Sequence, residues 1–150
     1  MGCDIHSYAE RLAAAGDWEY IEGFEPFSQR TYSVFGWLGD VRNYSAVSSL
    51  AARRGCPPDA SNPVFDAYQE DYDGHSGSWV GVDELLAVDY DAIIEDRRTA
   101  WPDSRSIGDT YPEGQGERKT LRAFLGPTFF NDLKTLQELG AGRVIFWFDN

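Results

Sequence analysis

The chain is poor in cysteine, histidine and positive charge. Its 150 residues include two Cys, two His and 13 Lys and Arg against 25 Asp and Glu, a formal net charge of -12. Two cysteines are too few for a disulfide framework, which favours a reducing compartment. Duplex nucleic acid is not expected as a partner, because binding by counterion release requires clustered basic residues. The tightest groups of basic residues in this sequence are pairs of neighbours.

Long apolar runs are also lacking. No segment approaches the ~20 apolar residues that a membrane-spanning helix needs. The opening residues MGCDIHSYAE show no basic stretch followed by an apolar one, so they do not read as a secretory signal. We expect a cytoplasmic protein without a membrane partner.

Apolar material is nevertheless sufficient for a core. Hydrophobic residues make up 42% of the chain and aromatic residues 15%. This supply of apolar side chains offsets the entropy of ordering the backbone. A length of 150 residues suits one domain, and we assign residues 1–150 to a single domain.

Hydrophobic periodicity predicts an α+β fold. Residues 4–11 and 18–21 are expected to form a hairpin, and residues 143–148 (RVIFWF) a strand buried on both faces. Alternation along the first strand separates Cys3, Ile5, Ser7 and Ala9 from Asp4, His6, Tyr8 and Glu10. We predict a small, mainly antiparallel sheet containing the N-terminal hairpin and the C-terminal strand, with helices packed on one face.

Helices are predicted at four places. They cover residues 31–40, 63–72 and 82–86, and a last segment that follows Pro127 and ends at Gly140. The Gly-interrupted residues 71–81 are expected to be a loop leading into a helix. Residues 99–119 are expected to form a long polar loop, and loops of that length are usually functional or mobile.

Five segments occur in the order MGCDIHSYAE, RTYSVFGWLGDVRN, RRGCPPDAS, DGHSGSWVGVDELL and RVIFWFDN. Together they resemble a family of small accessory proteins of tailed bacteriophages and prophages. The resemblance leaves residues 96–119 unmatched. It implies a phage protein acting in the cytoplasm of the host bacterium, where proteins of this kind often counter host defence by sequestering or cleaving nucleotide immune signals.

Aspartate and histidine recur at one spacing. Asp4 and His6 lie two residues apart on a predicted strand, so their side chains share a face, and Asp73 and His75 repeat the spacing. Asp149 joins them if the terminal strands are neighbours. These five residues are the candidate ligands of a divalent metal, the only cofactor considered, and His6, His75 and Asp73 are the candidate catalytic residues. An ordinary Asp–His hydrogen bond is the structural alternative.

Further residues are candidates for binding an anionic, nucleotide-like ligand. The hydroxyls of Ser76 and Ser78 can hold an anion near a helix start, or they can cap a turn. The guanidinium groups of Arg30, Arg42 and Arg54 suit phosphate recognition or pairing with surface carboxylates. The Trp79 ring can stack on a base or pack in the core. The candidate ligand-binding residues are therefore Asp4, His6, Arg30, Arg42, Arg54, His75, Ser76, Ser78 and Trp79.

Three functions remain open on the sequence. The first is a counter-defence protein that sequesters a small nucleotide-like ligand as a sponge. The second is a metal-dependent hydrolase, such as a phosphodiesterase, using the same Asp and His residues. The third is an inhibitor that binds a host protein. The ligand, the host target and whether the chain forms a homo-oligomer are left undecided.

Overall fold

The structure is a computed structural model that describes residues 2–100, 102–104, 106 and 108–150. Strands and helices follow one another along these residues. The strands are β1 (Asp4–Leu12), β2 (Trp18–Tyr20), β3 (His75–Gly81), β4 (Ile93–Asp96), β5 (Glu117–Thr120) and β6 (Arg143–Asp149). The helices are α1 (Tyr32–Gly39), α2 (Asn62–Glu70), α3 (Val82–Ala87), α4 (Leu121–Leu125) and α5 (Pro127–Glu138).

The main sheet has four strands in the order β2-β1-β6-β3, and every neighbouring pair is antiparallel. The predicted α+β class is therefore confirmed. The N-terminal hairpin β1–β2 and the C-terminal strand β6 lie side by side, as the sequence predicts. A second, two-stranded antiparallel sheet joins β4 to β5.

Strand β1 has one apolar and one polar face. Ile5, Ser7 and Ala9 are buried on the apolar face, as is Cys3 just before the strand. This face lies over the large core, to which β6 contributes Val144, Phe146 and Phe148. Because side chains alternate along a strand, the remaining β1 residues point to the opposite face. The predicted separation of the two faces is confirmed.

Helix α5 packs on the apolar face of the sheet. Its residues Phe129, Leu133 and Leu136 are buried at the spacing that the sequence predicts. Helix α1 packs on the same face, and its glycines permit a close approach. A Cβ atom on Gly39 would lie 3.0 Å from the Phe148 ring, and one on Gly36 would lie 3.0 Å from the Asn43 Cα. The glycines that weaken α1 as a helix allow it to pack.

Helix α2 lies on the other face of the sheet, so helices pack on both faces and not on one face only as the sequence predicts. Its Val64 is buried against Ile145 and Trp147 of β6, with Tyr8 and Tyr68 packed around them. The polar face predicted for β1 is thus partly covered by an aromatic cluster and one helix. Strand β6 is buried from Arg143 to Phe148, which confirms that it is buried on both faces.

Two segments differ from the prediction. Residues 75–81 form strand β3 instead of a loop, because their backbone pairs with the free edge of β6. A bulge between His75 and Ser78 absorbs the irregular spacing, with Ser76 at φ 56. The loop predicted for residues 99–119 is shorter in the structure, because β5 begins at Glu117. An isolated β-bridge also joins Arg98 to Thr110. Residues 101, 105 and 107 of that prediction lie outside the described residues.

In the part of the chain that the structure describes, no helix combines the length and apolar character required to cross a membrane.

Candidate functional site

Most of the predicted site residues lie at one end of the main sheet. Strands β1 and β3 begin where the antiparallel β6 ends, so Asp4 is opposite Asp149 and His75 is opposite Phe148. Residues that are far apart in sequence therefore meet at this end. The antiparallel topology brings them together without requiring a long loop to fold back.

One group of metal-ligating side chains stands out there. His6, Asp71 and Asp149 each offer one ligand atom, and these atoms lie within 4.8 Å of one another. The His6 Nε2 atom is 2.5 Å from Asp149 Oδ2 and 3.7 Å from Asp71 Oδ2. The side chains of His6, Asp71 and Asp149 are 37%, 22% and 32% exposed. We call these three residues the HDD cluster, and it is open to solvent from one side.

Aromatic side chains form the floor of the HDD cluster. The Trp147 ring is stacked between His6, at 5.9 Å between ring centroids, and Tyr8, at 5.0 Å. Its indole N–H donates a 2.8 Å hydrogen bond to Asp71 Oδ2. Such a partner outside the ligand set orients a carboxylate and is a common feature of metal sites. Trp147 itself is only 1% exposed, so it supports the cluster and is not available to stack on a ligand.

The spacing of the ligand atoms is close to that of a metal site. Bond lengths of about 2.0–2.2 Å to His nitrogen and carboxylate oxygen put two ligands of one ion about 3.0–3.4 Å apart. The 3.7 Å pair is slightly longer than this, and the 2.5 Å pair is shorter and is a hydrogen bond. Small side-chain rotations would bring the three ligand atoms to the spacing that a bound cation requires.

Asp4 is engaged elsewhere. Its carboxylate accepts two hydrogen bonds from Arg30, at 2.9 Å from Nε and 3.0 Å from Nη2. Both side chains are about half exposed. The pair stands beside the HDD cluster, because Asp4 precedes His6 by two residues and is opposite Asp149. Two predicted ligand-binding residues thus occupy the edge of the same site.

His75 lies on the other side of the sheet end. It is opposite Phe148, whereas His6 is opposite Trp147, and adjacent residues of β6 point to opposite faces. His75 Nε2 is 2.6 Å from Asn150 Oδ1, and Nδ1 is 3.0 Å from Ser76 Oγ. His75 and the exposed Asp73 are not members of the metal-ligating group found among the described residues.

Arg54, Ser78 and Trp79 make contacts within the fold. The Arg54 guanidinium forms a bidentate pair with Glu84, at 2.7 and 2.8 Å, and lies over the Trp79 ring at 5.1 Å. Hydrogen bonding to Arg54 lowers the pKa of the Glu84 carboxyl below its ordinary value. Ser78 is buried and its hydroxyl donates to the carbonyl of Ala51. These contacts tie β3 to the preceding loop and to α3.

Neither cysteine has the environment of a nucleophile. Burial raises the pKa of the Cys3 thiol, and it also raises that of Cys56. A raised pKa reduces the thiolate fraction near neutral pH. Arg42 lies close to Cys3, where it opposes part of this rise, and it also donates a 3.1 Å hydrogen bond to the Tyr44 hydroxyl.

Sequence reasoning identified His6 and Asp149 and missed Asp71. A signal was present, since Asp71, Asp73 and His75 share a spacing of two residues. The Asp-X-His spacing that Asp4 and His6 share points to Asp73 instead. The pairing of Asp71 with Trp147 depends on tertiary structure, and the sequence pattern does not contain it.

Comparisons of the chain with protein-family models, curated proteins and solved structures find no match.

Proposed function

We propose that the protein binds one divalent metal ion at the HDD cluster and uses it to hydrolyse a phosphoester in a nucleotide-like substrate. The observation that carries this proposal is the convergence of three ligand atoms within 4.8 Å at the open end of the sheet. Of the three functions that the sequence leaves open, metal-dependent hydrolysis makes the most use of this arrangement.

The charges of the cluster favour a cation. Two carboxylates face one imidazole, and the guanidinium of Arg30 is paired with Asp4. A mixed imidazole and carboxylate set suits first-row ions such as Mn²⁺ or Zn²⁺. Three protein ligands leave a coordination position for water, which is the pattern of catalytic sites and not of closed structural ones.

The chemistry follows from such a bound water. A divalent ion held by His6, Asp71 and Asp149 would lower the pKa of a bound water and polarise a phosphoryl oxygen. That water would then attack phosphorus and lose a proton to solvent, while the P–O bond to the leaving alcohol breaks and the departing oxygen takes up a proton. The Arg30 guanidinium keeps three of its five N–H donors after pairing with Asp4, and these donors suit a substrate phosphate at the rim of the site.

The biological setting of this proposal is the phage counter-defence role that the sequence resemblance implies. The substrate is then a nucleotide signal of the infected bacterium. Hydrolysis differs from capture by a sponge in a measurable way, because a sponge releases its ligand unchanged after denaturation. It differs from inhibition of a host enzyme because it requires no protein partner.

The test is turnover of cyclic and linear dinucleotides by the purified chain with Mn²⁺. We expect cleaved product, loss of turnover with a chelator and restoration by added Mn²⁺. Asp149→Asn should reduce turnover at least about 100-fold, while Asp73→Asn, which removes a nearby exposed carboxylate outside the cluster, should not. Intact dinucleotide recovered from the wild type, or equal turnover by both variants, contradicts the proposal.

A further inference from the structure

A polar cavity, separate from the HDD cluster, lies between the start of α1, the loop that follows α1, the β4–β5 hairpin and α4. Its volume is about 170 Å³, and the residues that matter here are Tyr32, Arg42, Tyr44, Ser45, Arg98 and Lys119. Tyr32 and the helix behind it pack on the large core. The HDD cluster rests on the smaller core formed around Trp147, so the two sites belong to opposite faces of the sheet.

Positive charge is concentrated at this cavity. Arg42, Arg98 and Lys119 line it together with one carboxylate, that of Asp96. Lys119 pairs with Asp96 at 3.3 Å and with Glu117, which lies outside the cavity, at 3.1 Å. Among the described residues, no carboxylate oxygen lies within 4.0 Å of the Arg98 guanidinium, which instead lies over the Tyr44 ring at 5.5 Å. In a chain with a formal charge of -12, such a concentration of cations is unusual.

Ser45 adds a hydroxyl to the cavity wall. The residue is only 6% exposed, and its backbone carbonyl accepts a 3.0 Å hydrogen bond from the Arg97 amide, which fixes its position. A serine hydroxyl has a proton that it can donate to a phosphate oxygen.

Two phenol groups can add donors. The Tyr32 hydroxyl accepts a hydrogen bond from the Cys3 amide at 3.0 Å, and the Tyr44 hydroxyl accepts one from Arg42 at 3.1 Å. Each phenol then still has its own proton to donate. Helix α1 also begins at Tyr32, and its N-cap residue Thr31 makes no side-chain capping bond. The first amides of α1 therefore add favourable dipoles for an anion.

We propose that this cavity binds a phosphate dianion, either free or as the terminal group of a phosphomonoester. Its donors are guanidinium, ammonium and hydroxyl groups, which match the acceptor oxygens of phosphate. The 170 Å³ volume holds about five to six water volumes at about 30 Å³ each. It is below the ~300 Å³ of sites that enclose a drug-sized ligand, so it fits a phosphoryl group and not a nucleoside.

Calorimetric titration of the full chain with inorganic phosphate and, separately, with AMP tests this proposal. A chelator in the buffer keeps metal away from the HDD cluster, so failure here is separate from failure of the proposed function. We expect millimolar or tighter binding of phosphate, weakened at least about tenfold by Arg98→Gln and severalfold by Ser45→Ala. Tighter binding of AMP would assign the phosphate to a phosphomonoester, and equal or weaker binding of AMP would assign it to free phosphate.

Arg118→Gln is the matched control, because Arg118 precedes Lys119 on β5 and is exposed outside the cavity. It removes the same charge and should change the affinity by less than about twofold, since distant exposed charges are screened by salt. Thermal melts confirm that the variants fold. An absence of phosphate binding in the wild type overturns the proposal, as does an equal loss of affinity in Arg98→Gln and Arg118→Gln.

Discussion

The two ends of the β1–β6 strand pair carry charged groups on the same face, but the groups are buried and paired at one end and partly exposed at the other. At one end, Glu10 and Arg143 are 0% and 7% exposed and joined at 2.7 Å. Arg143 also donates a hydrogen bond to the Asp59 carboxylate, and Glu10 accepts one from the Ser61 amide. The Arg143 guanidinium lies 3.9 Å from the centre of the Trp18 ring. At the other end, the HDD cluster has an excess of carboxylate and stays partly exposed.

The difference separates a structural group from a site. Glu10 and Arg143 compensate one another, so burial is tolerated and no ligand is needed. The HDD cluster retains negative charge and access to solvent, which a cation can use. If this comparison is correct, variants at the first end change stability and variants at the second end change ligand binding.

The largest expected effect is at the buried pair. Arg143→Met leaves the Glu10 carboxylate buried without its partner, and the free energy of unfolding should fall by about 3–5 kcal/mol. Urea denaturation measures this loss. The matched control is Arg30→Met, which breaks the exposed Arg30–Asp4 pair and should cost at most about 1 kcal/mol. Equal costs for the two variants would remove the distinction between the two ends.

A large effect is also expected on the opposite, apolar face of the same sheet. Leu133→Ala truncates a side chain that is 6% exposed in the large core. Truncations of this kind cost about 2–5 kcal/mol through lost apolar contact and a residual cavity. Chemical denaturation measures the cost, and Mn²⁺ affinity should stay unchanged because α5 does not contribute to the HDD cluster. A cost below about 1 kcal/mol would show that α5 is peripheral.

The smallest expected effect is an acid dependence from the Arg54–Glu84 pair. Its hydrogen bonds lower the pKa of Glu84 in the folded chain. The pair therefore stabilises the fold fully above the ordinary pKa of 4.5, and the contribution is lost as the pH falls through the lowered folded value. Glu84→Gln should flatten this part of the stability curve below pH 4.5. An unchanged acid limb, measured by urea melts from neutral to acidic pH, would contradict the assignment.

The sequence predicts the fold where the pattern is local and strong. Alternation in β1, the apolar run of β6 and the spacing of Phe129, Leu133 and Leu136 all predict elements that the structure contains. Strand β3 was predicted as a loop because Gly77 and the serines around it have little intrinsic strand preference. Its pairing with the edge of β6 outweighs that preference, and a local pattern does not record such pairing.

The candidate sites divide in the same way. His6 and Asp149 were predicted because neighbouring terminal strands bring them together. The phosphate cavity was only partly anticipated through Arg42, because the β4–β5 hairpin brings Lys119 close to Arg98 from 21 residues away. Side chains that meet through tertiary pairing leave no spacing in the sequence, and this accounts for the residues that were missed.

Titration of the full chain with Mn²⁺ tests the central claim most directly. The HDD cluster should bind one Mn²⁺ per chain, with the hydrogen bond between His6 and Asp149 replaced by bonds from both side chains to the metal. Asp149→Asn should weaken binding at least about tenfold, whereas Asp73→Asn should leave it unchanged. If Asp149→Asn binds Mn²⁺ as well as the wild type, or if the wild type binds none, the HDD cluster is not a metal site.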